Sequence, residues 1–287
     1  MRRFARHACI DWSGAATPRQ PGIAVAVTQG ASQLALLRPD GGWTRQRILG
    51  WLETLAEQQT DILIGLDLSP ALPFVDCDGY FPGWDESPAD APALWHLVDA
   101  ITVGDPHLAA TSFVTHPEAR RHFRHGVERG DLFTGSMGRL RACEHGQAAM
   151  GLRPASCFNL VGAAQVGKSS LTGMRVLHRL RGRIPVWPFD PLPESGPCIV
   201  EIYTSLAARQ AGVTGNKIKV LDPARLSAML ATLGFAAKLP ERLDDHNSDA
   251  LLTAAWLSQA ATAAANWAPP DMTPLIARTE GWTFGVV

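Results

Sequence analysis

The sequence predicts an α/β protein: a mixed five-stranded sheet, three antiparallel strands and then parallel ones, flanked by helices. A helix-and-loop insertion at about 71–155 interrupts it. Three observations carry the prediction. Short apolar runs separated by tight turns open the chain, the pattern of an antiparallel meander. A helical stretch then leads to a fourth run, Ile62–Asp67, and supplies the crossover that a parallel strand requires. Finally, 46% of the 287 residues are apolar, enough to bury a sizeable core within one domain spanning 1–287.

Taken in order, Ala8 to Trp12 reads as a strand ending in Asp11, followed by a Ser13-Gly14 turn and a polar loop to Pro21. Gly22 to Thr28 and Ser32 to Leu37 are the next two strands, joined by a turn at Gln29–Ala31. Thr44 caps a helix through about Gln59, with Ile48, Leu49, Leu52 and Leu55 on one face. The run Ile62-Leu63-Ile64-Gly65-Leu66-Asp67 reads as a strand buried on both faces that delivers a carboxylate just before Pro70 stops it. Beyond Pro70 prolines and glycines mark loops, with a helix at Ala91–Ile101 and a His- and Arg-rich helix at Pro117–Gly130. Regular structure resumes near Ser156. The apolar run Cys157–Val161 leads through a loop, Gly162–Ser170, to a helix at Leu171–Arg181. Ile184–Phe189 and Cys198–Tyr203 read as strands, the latter carrying Glu201. Helices follow at Leu206–Ala211, Pro223–Leu233 and Asp244–Ala265.

Composition excludes several classes of function. Twenty-six basic residues against 27 acidic ones give no broad positive field for coating duplex nucleic acid, so any such contact is local. The five cysteines are scattered, odd in number and never spaced C-x-x-C, which argues for reduced thiols, no zinc ribbon and a cytoplasmic protein. His7 and Asp11 interrupt the apolar run that a signal peptide needs after Arg2-Arg3. No stretch approaches the length of a transmembrane helix.

The chemistry-bearing residues are acids. Asp11, Asp67 and Glu201 end or occupy strands, and Asp245 and Asp249 lie four apart on one side of the last helix, with His246 between them. If the first and fourth strands are neighbours, Asp11 and Asp67 meet, and such carboxylates repel one another and raise each other's pKa. A hard divalent cation resolves that repulsion. Mg²⁺ takes oxygen ligands and uses few carboxylates together with waters and substrate phosphate.

Asp11 in CIDWSG, the LIGLDLSPALP segment, VEIYTS, the D-x-x-x-D-A pattern ending at Asp249-Ala250, and TEGW at Thr279–Trp282 together resemble domain-of-unknown-function family 429. That family is classed as predicted nucleases of the RNase H-like superfamily, and the resemblance spans nearly the whole chain. It implies an RNase H-like sheet and an Mg²⁺- or Mn²⁺-dependent phosphodiesterase site held by Asp11, Asp67 and Asp249, with Glu201 as a further catalytic acid. It also implies in-line displacement leaving a 3′-hydroxyl and a 5′-phosphate. In related resolvases another acid stands three residues before the last one; His246 occupies that position here and is a poorer magnesium ligand. Asp11 is then expected to bridge the ions, with Glu201 or His246 orienting the attacking water.

Two other constellations compete. Gly162-Ala-Ala-Gln-Val-Gly167-Lys168-Ser169 satisfies the phosphate-binding P-loop pattern, with Lys168 reaching phosphates and Ser169 a magnesium ion. The acids downstream of it do not follow a clean apolar strand, and the opening meander is foreign to a parallel P-loop sheet. In the nuclease reading Lys168 and Ser169 contact a substrate phosphate instead. The segment with Arg120, Arg121, His122, Arg124 and His125, with Arg139, Arg141, Arg175, Arg179, Arg181 and Arg183, can track a nucleic-acid backbone locally. His122 and His125 read as a solvated face rather than a metal pair. The expectation is a phosphodiester hydrolase acting on nucleic acid or another phosphodiester. A P-loop NTPase and a catalytically silent RNase H-like binding module are the alternatives.

Overall fold

The computed structural model describes residues 2–30, 32–161, 166–213, 220–240 and 242–287. The chain opens with β1 (Arg6–Asp11), β2 (Ala24–Gln29) and β3 (Gln33–Leu37), then α1 (Arg45–Glu57) and β4 (Ile62–Asp67). Thr44 caps α1 by accepting from the Arg47 amide, as its sequence position implies. The intervening region holds α2 (Ala91–Ile101), α3 (Thr111–Thr115), the two-residue strands β5 (Arg124–His125) and β6 (Glu128–Arg129), and α4 (Ala142–Ala149). The second half contributes α5 (Val166–Leu180), β7 (Val186–Trp187), β8 (Cys198–Glu201), α6 (Thr204–Gln210), α7 (Pro223–Thr232) and β9 (Ala236–Ala237). It closes with α8 (Asp245–Ala260), α9 (Ala264–Trp267) and α10 (Pro274–Thr279).

The main sheet has seven strands, not five, in the order β7-β8-β4-β1-β2-β3-β9. β2 runs antiparallel to β1 and β3, and every other neighbouring pair is parallel. Both outermost strands have only two residues: β7 falls within the run Ile184–Phe189 read as a strand, and β9 is too short to carry an alternation signal. A second correction concerns Pro117–Gly130, which is not a helix. Ala119–His122 forms a tight 3-10 turn, and β5 and β6 then form a hairpin. Gly126 sits first in its two-residue loop at φ +61, the position a type II′ turn reserves for glycine. The last long helix also stops at Ala260, where α9 takes over.

Strand alternation divides the core into two layers. Ala8, Ile10, Ile62, Ile64 and Leu66 face α1, α2 and α5, and apolar residues of the 71–155 region such as Phe81, Leu94 and Trp95 join that same cluster. Cys9, Leu63 and Val200 face the opposite layer, made by α6, α7, α8 and the C-terminal segment. The alanines of α8 let it lie close on β1 and β2. All five cysteines are free thiols, and only Cys77 is exposed. No helix among the described residues is long and apolar enough to cross a membrane.

Close approach dictates two glycines of α5. A Cβ on Gly167 would overlap the Cys157 carbonyl oxygen, and one on Gly173 would overlap Leu68. Gly167→Ala is therefore expected to destabilise the chain by about 1–3 kcal/mol, the scale of an overpacked core position. Chemical denaturation of the two proteins checks this.

Candidate functional site

Parallel pairing of β1 with β4 sets Asp11 directly beside Asp67, at the ends of both strands. In-register partners on neighbouring strands point to the same face, here the face covered by α8. Asp11 is buried, and its carboxylate is met by His246 Nδ1 at 2.9 Å. Asp67 has a thinner environment: its carboxylate accepts from the Thr204 hydroxyl at 3.4 Å and from the Thr204 amide. It keeps an exposed edge on a cavity, yet the chain encloses it enough that burial is the first cause raising its pKa well above the carboxylate range. The charges of Asp11 and Asp249 raise it further. Burial also raises Asp11, against the hydrogen bond and charge of His246.

Helix α8 brings the remaining candidates. Asp244 caps it by accepting from the Asn247 amide at 2.7 Å, and Asp245 follows in the first turn, half-buried. His246, Asp249 and Thr253 follow one another at helical spacing on the side turned to β1. The negative charge of Asp249 reaches Asp67, His246 and the thiol of Cys9, which lies two residues before Asp11 on the same strand face. The His246 ring is nearly half exposed (46%), and its bond to Asp11 raises its pKa above 6.5. Its far edge packs against Gly22, where a side chain would crowd it.

Glu201 has a different setting. It pairs in register with Leu66, so alternation turns it to the face opposite Asp11 and Asp67. Its carboxylate accepts from Arg141 at 2.6 and 2.8 Å and from the Thr283 hydroxyl at 2.7 Å. Arg141, fully buried, also donates to Glu144 at 3.0 Å and to Ser69 Oγ at 3.0 Å. Glu201 is thus committed to a cation supplied by the chain itself. The acid of the TEGW segment is likewise an anchor, since Glu280 accepts the amides of Phe74, Val75 and Ala142.

Part of this set borders a cavity of about 760 Å³ beyond the C-terminal ends of the strands, a usual place for ligands in α/β sheets. Asp67, Glu144, Glu201, His125 and His246 line it, and Lys168 and Ser169 face it from the first turn of α5. Gly14 allows that approach: a Cβ there would collide with the backbone of Lys168 and Ser169. The Trp12 indole donates to Thr172 at 3.0 Å and fixes the same contact. Residues Gly162–Gln165 of the P-loop pattern lie outside the described residues. No strand of the main sheet leads into α5; the described residues before it form a turn and a single bridge from Asn159 to Arg124. Gly167 is accounted for by packing.

Among the described residues no group of three or more His, Cys, Asp or Glu forms a ready-made metal cage. The donor chemistry at Asp11 and Asp67 still fits a hard cation. Asp11 and Asp67 are two enclosed, adjacent carboxylates, and among the described residues His246 is the basic group bonded to the pair. Magnesium is commonly held by one or two carboxylates, with water and substrate phosphate completing its shell.

The basic residues correct the sequence reading most. Arg139, Arg141 and Arg175 are buried and spent on internal acids and carbonyls: Asp76 and three carbonyls for Arg139, Asp99 and two carbonyls for Arg175. Arg179 and Arg183 pair with Asp99 and Glu53. A planar fork of donors suits this bracing, and burial is invisible in a charge count. His122 is not on a solvated face. It is buried against Phe81 and Phe158, and that burial lowers its pKa to about 4. Glu144 was missed, and Arg141, expected on a nucleic-acid backbone, binds Glu144 and Glu201 instead. Their only local signal is a spacing of three at the start of α4, where the Glu144 carboxylate accepts the Arg141 amide.

Because the folded-state pKa of Asp67 lies above its unfolded value, its ionisation opposes folding once pH exceeds the raised value, and the effect vanishes below about 3.8. Asp67→Asn is expected to raise the thermal midpoint at pH 8 by roughly 2–4 °C, as about 1 kcal/mol does in a chain of this size. The gain should disappear at pH 3. For His246 the raised pKa contributes stability below the ordinary imidazole value, lost as pH rises through the folded one. NMR titration should place His246 above 6.5 and show it falling in Asp11→Asn. Comparisons of the chain with family models, curated proteins and solved structures return no match.

Proposed function

We propose that the chain is a divalent-metal-dependent hydrolase of phosphodiester bonds built on an RNase H-like sheet. The observation that carries this reading is the in-register pair Asp11 and Asp67, enclosed at the strand ends beside a cavity whose other wall presents Lys168 and Ser169. The strand order β3-β2-β1-β4-β8 within the larger sheet supports the fold assignment. Like charges gathered on one side and a cation with a hydroxyl on the other suit a phosphate entering between them.

Asp11 and Asp67, with Asp249 from α8, would hold Mg²⁺ or Mn²⁺, which when bound neutralises phosphate charge and lowers the pKa of water. The chain's own groups do the rest. Lys168 pairs with a non-bridging phosphate oxygen, and Ser169 donates its hydroxyl to the same group. His246, protonated more readily than an ordinary histidine, fixes the Asp11 carboxylate and exposes its other ring nitrogen to exchange a proton with the cavity. Glu201 acts as a positioning residue: with Glu144 it holds Arg141, which braces Ser69 just beyond Asp67.

Removing either the acids or the cation separates their roles. Asp11→Asn is expected to lower Mn²⁺-dependent hydrolysis of bis(p-nitrophenyl) phosphate by at least ~10²-fold, the scale of losing an electrostatic catalytic group. Lys168→Ala should act mainly by raising KM for an oligonucleotide. Loss of nucleoside-triphosphate hydrolysis in Lys168→Ala, with Asp11→Asn unaffected, would instead identify an NTPase.

A further inference from the structure

A second, smaller cavity of about 490 Å³ adjoins the first, and Val114 and His125 line both. Its walls include Arg120, Arg129 and Glu128. The β5–β6 hairpin forms one side and is fastened at its base, where the Arg124 amide donates to the Phe158 carbonyl at 2.9 Å and the Leu160 amide to the Arg124 carbonyl at 2.8 Å. The segment that anchors the hairpin is therefore the one that runs on toward α5 and Lys168.

The charges of this hairpin are unbalanced in a particular way. Arg121 is neutralised by Glu118 and Asp131. Arg120 and Arg129, which line the second cavity, are exposed and, among the described residues, have no ion-pair partner; Arg129 donates only to backbone carbonyls of Phe133 and Gly135. Arg124 stands directly across from Arg129 in the hairpin, a like-charge pair that opposes the pairing of the two strands. An anion lying between such groups removes the repulsion. At the other end of the track the positive charge of Lys168 is felt by His125, whose pKa burial already lowers.

We infer that the two cavities form one track for single-stranded nucleic acid, its phosphates passing from Lys168 and Ser169 across His125 to Arg120 and Arg129. The inference rests on the hydrolase reading and names its substrate class. A single strand is favoured over a duplex on two grounds. Asp11 is buried and Asp67 recessed, so a backbone must enter the cavity to reach them, and a base-paired strand does not leave its stack to do so without being unpaired. The net charge of −1 supplies no broad field to attract a duplex, whereas a short line of cations suffices to follow one strand.

Fluorescence anisotropy tests this with a labelled twelve-nucleotide single strand and its blunt duplex, using the full chain carrying Asp11→Asn over a salt series. Tighter binding of the single strand is expected. Adding Arg120→Ala and Arg129→Ala should weaken it about tenfold and reduce the slope of log Kd against log salt by about 1.4, at ~0.7 for each phosphate contact to a single strand. Arg120→Lys with Arg129→Lys, which keeps both charges, should retain the slope. Equal or tighter binding of the duplex, or an unchanged slope in the alanine pair, would overturn the track. Strand binding through these arginines without metal-dependent cleavage by the unsubstituted chain would uphold the track and remove the hydrolase reading. Hydrolysis of a small diester with no strand binding would do the reverse.

Discussion

The repulsion between Asp11 and Asp67 is the constraint on which the rest of the site depends. Parallel pairing of β1 with β4 leaves these two carboxylates no choice of partner, because register alone sets them side by side. Burial then strengthens the repulsion, since neither group is well solvated and Asp249 adds its charge from α8. Within the described residues one histidine answers this charge directly, and it does so for Asp11. A chain under selection for stability alone would have an amide at Asp67. Keeping an acid there costs folding free energy, and the cost has a reason if a cation binds.

The surroundings hold that arrangement in place by spending arginines internally. Arg45 donates to the carbonyls of Ser13 and Ala15, fixing the loop that follows Asp11, and to that of His107. Arg141 draws Glu144, Glu201 and Ser69 into one buried network behind the cavity, while Glu280 gathers three amides of the segments around it. Removing one member of a buried pair leaves an uncompensated charge, which typically costs 3–5 kcal/mol. Lys168 and Ser169 are placed on the cavity separately, by the close approach of Gly14 and the bond from Trp12 to Thr172.

Much of this was legible because it is local. Thr44 and the apolar face at Ile48, Leu52 and Leu55 mark α1; four apolar residues around Gly65 mark β4; α2 runs over Ala91–Ile101, as read. The meeting of Asp11 with Asp67 followed from strand order. What was not legible depends on distant partners. Glu201 looked like a third acid, but pairing with Leu66 turns it away and Arg141, sixty residues earlier, claims it. The His- and Arg-rich segment Pro117–Gly130 reads as a helix, yet Gly126 in its tight turn and the backbone bonds from Arg124 to Phe158 and Leu160 make its second half a hairpin. Strand β9 is two residues long and forms where the longer edge of β3 receives it.

The central claim is that Asp11 and Asp67 form a cation site whose acids are held partly protonated until the cation arrives. Calorimetric titration of the chain with Mn²⁺ near pH 5.5, in buffers of different ionisation enthalpy, measures binding and proton release together. The account predicts saturable binding with protons released as the metal displaces them from carboxylates of raised pKa, and neither signal in a chain carrying both Asp11→Asn and Asp67→Asn. Absence of Mn²⁺ binding by the unsubstituted chain, or binding that persists in the doubly substituted one, would contradict it.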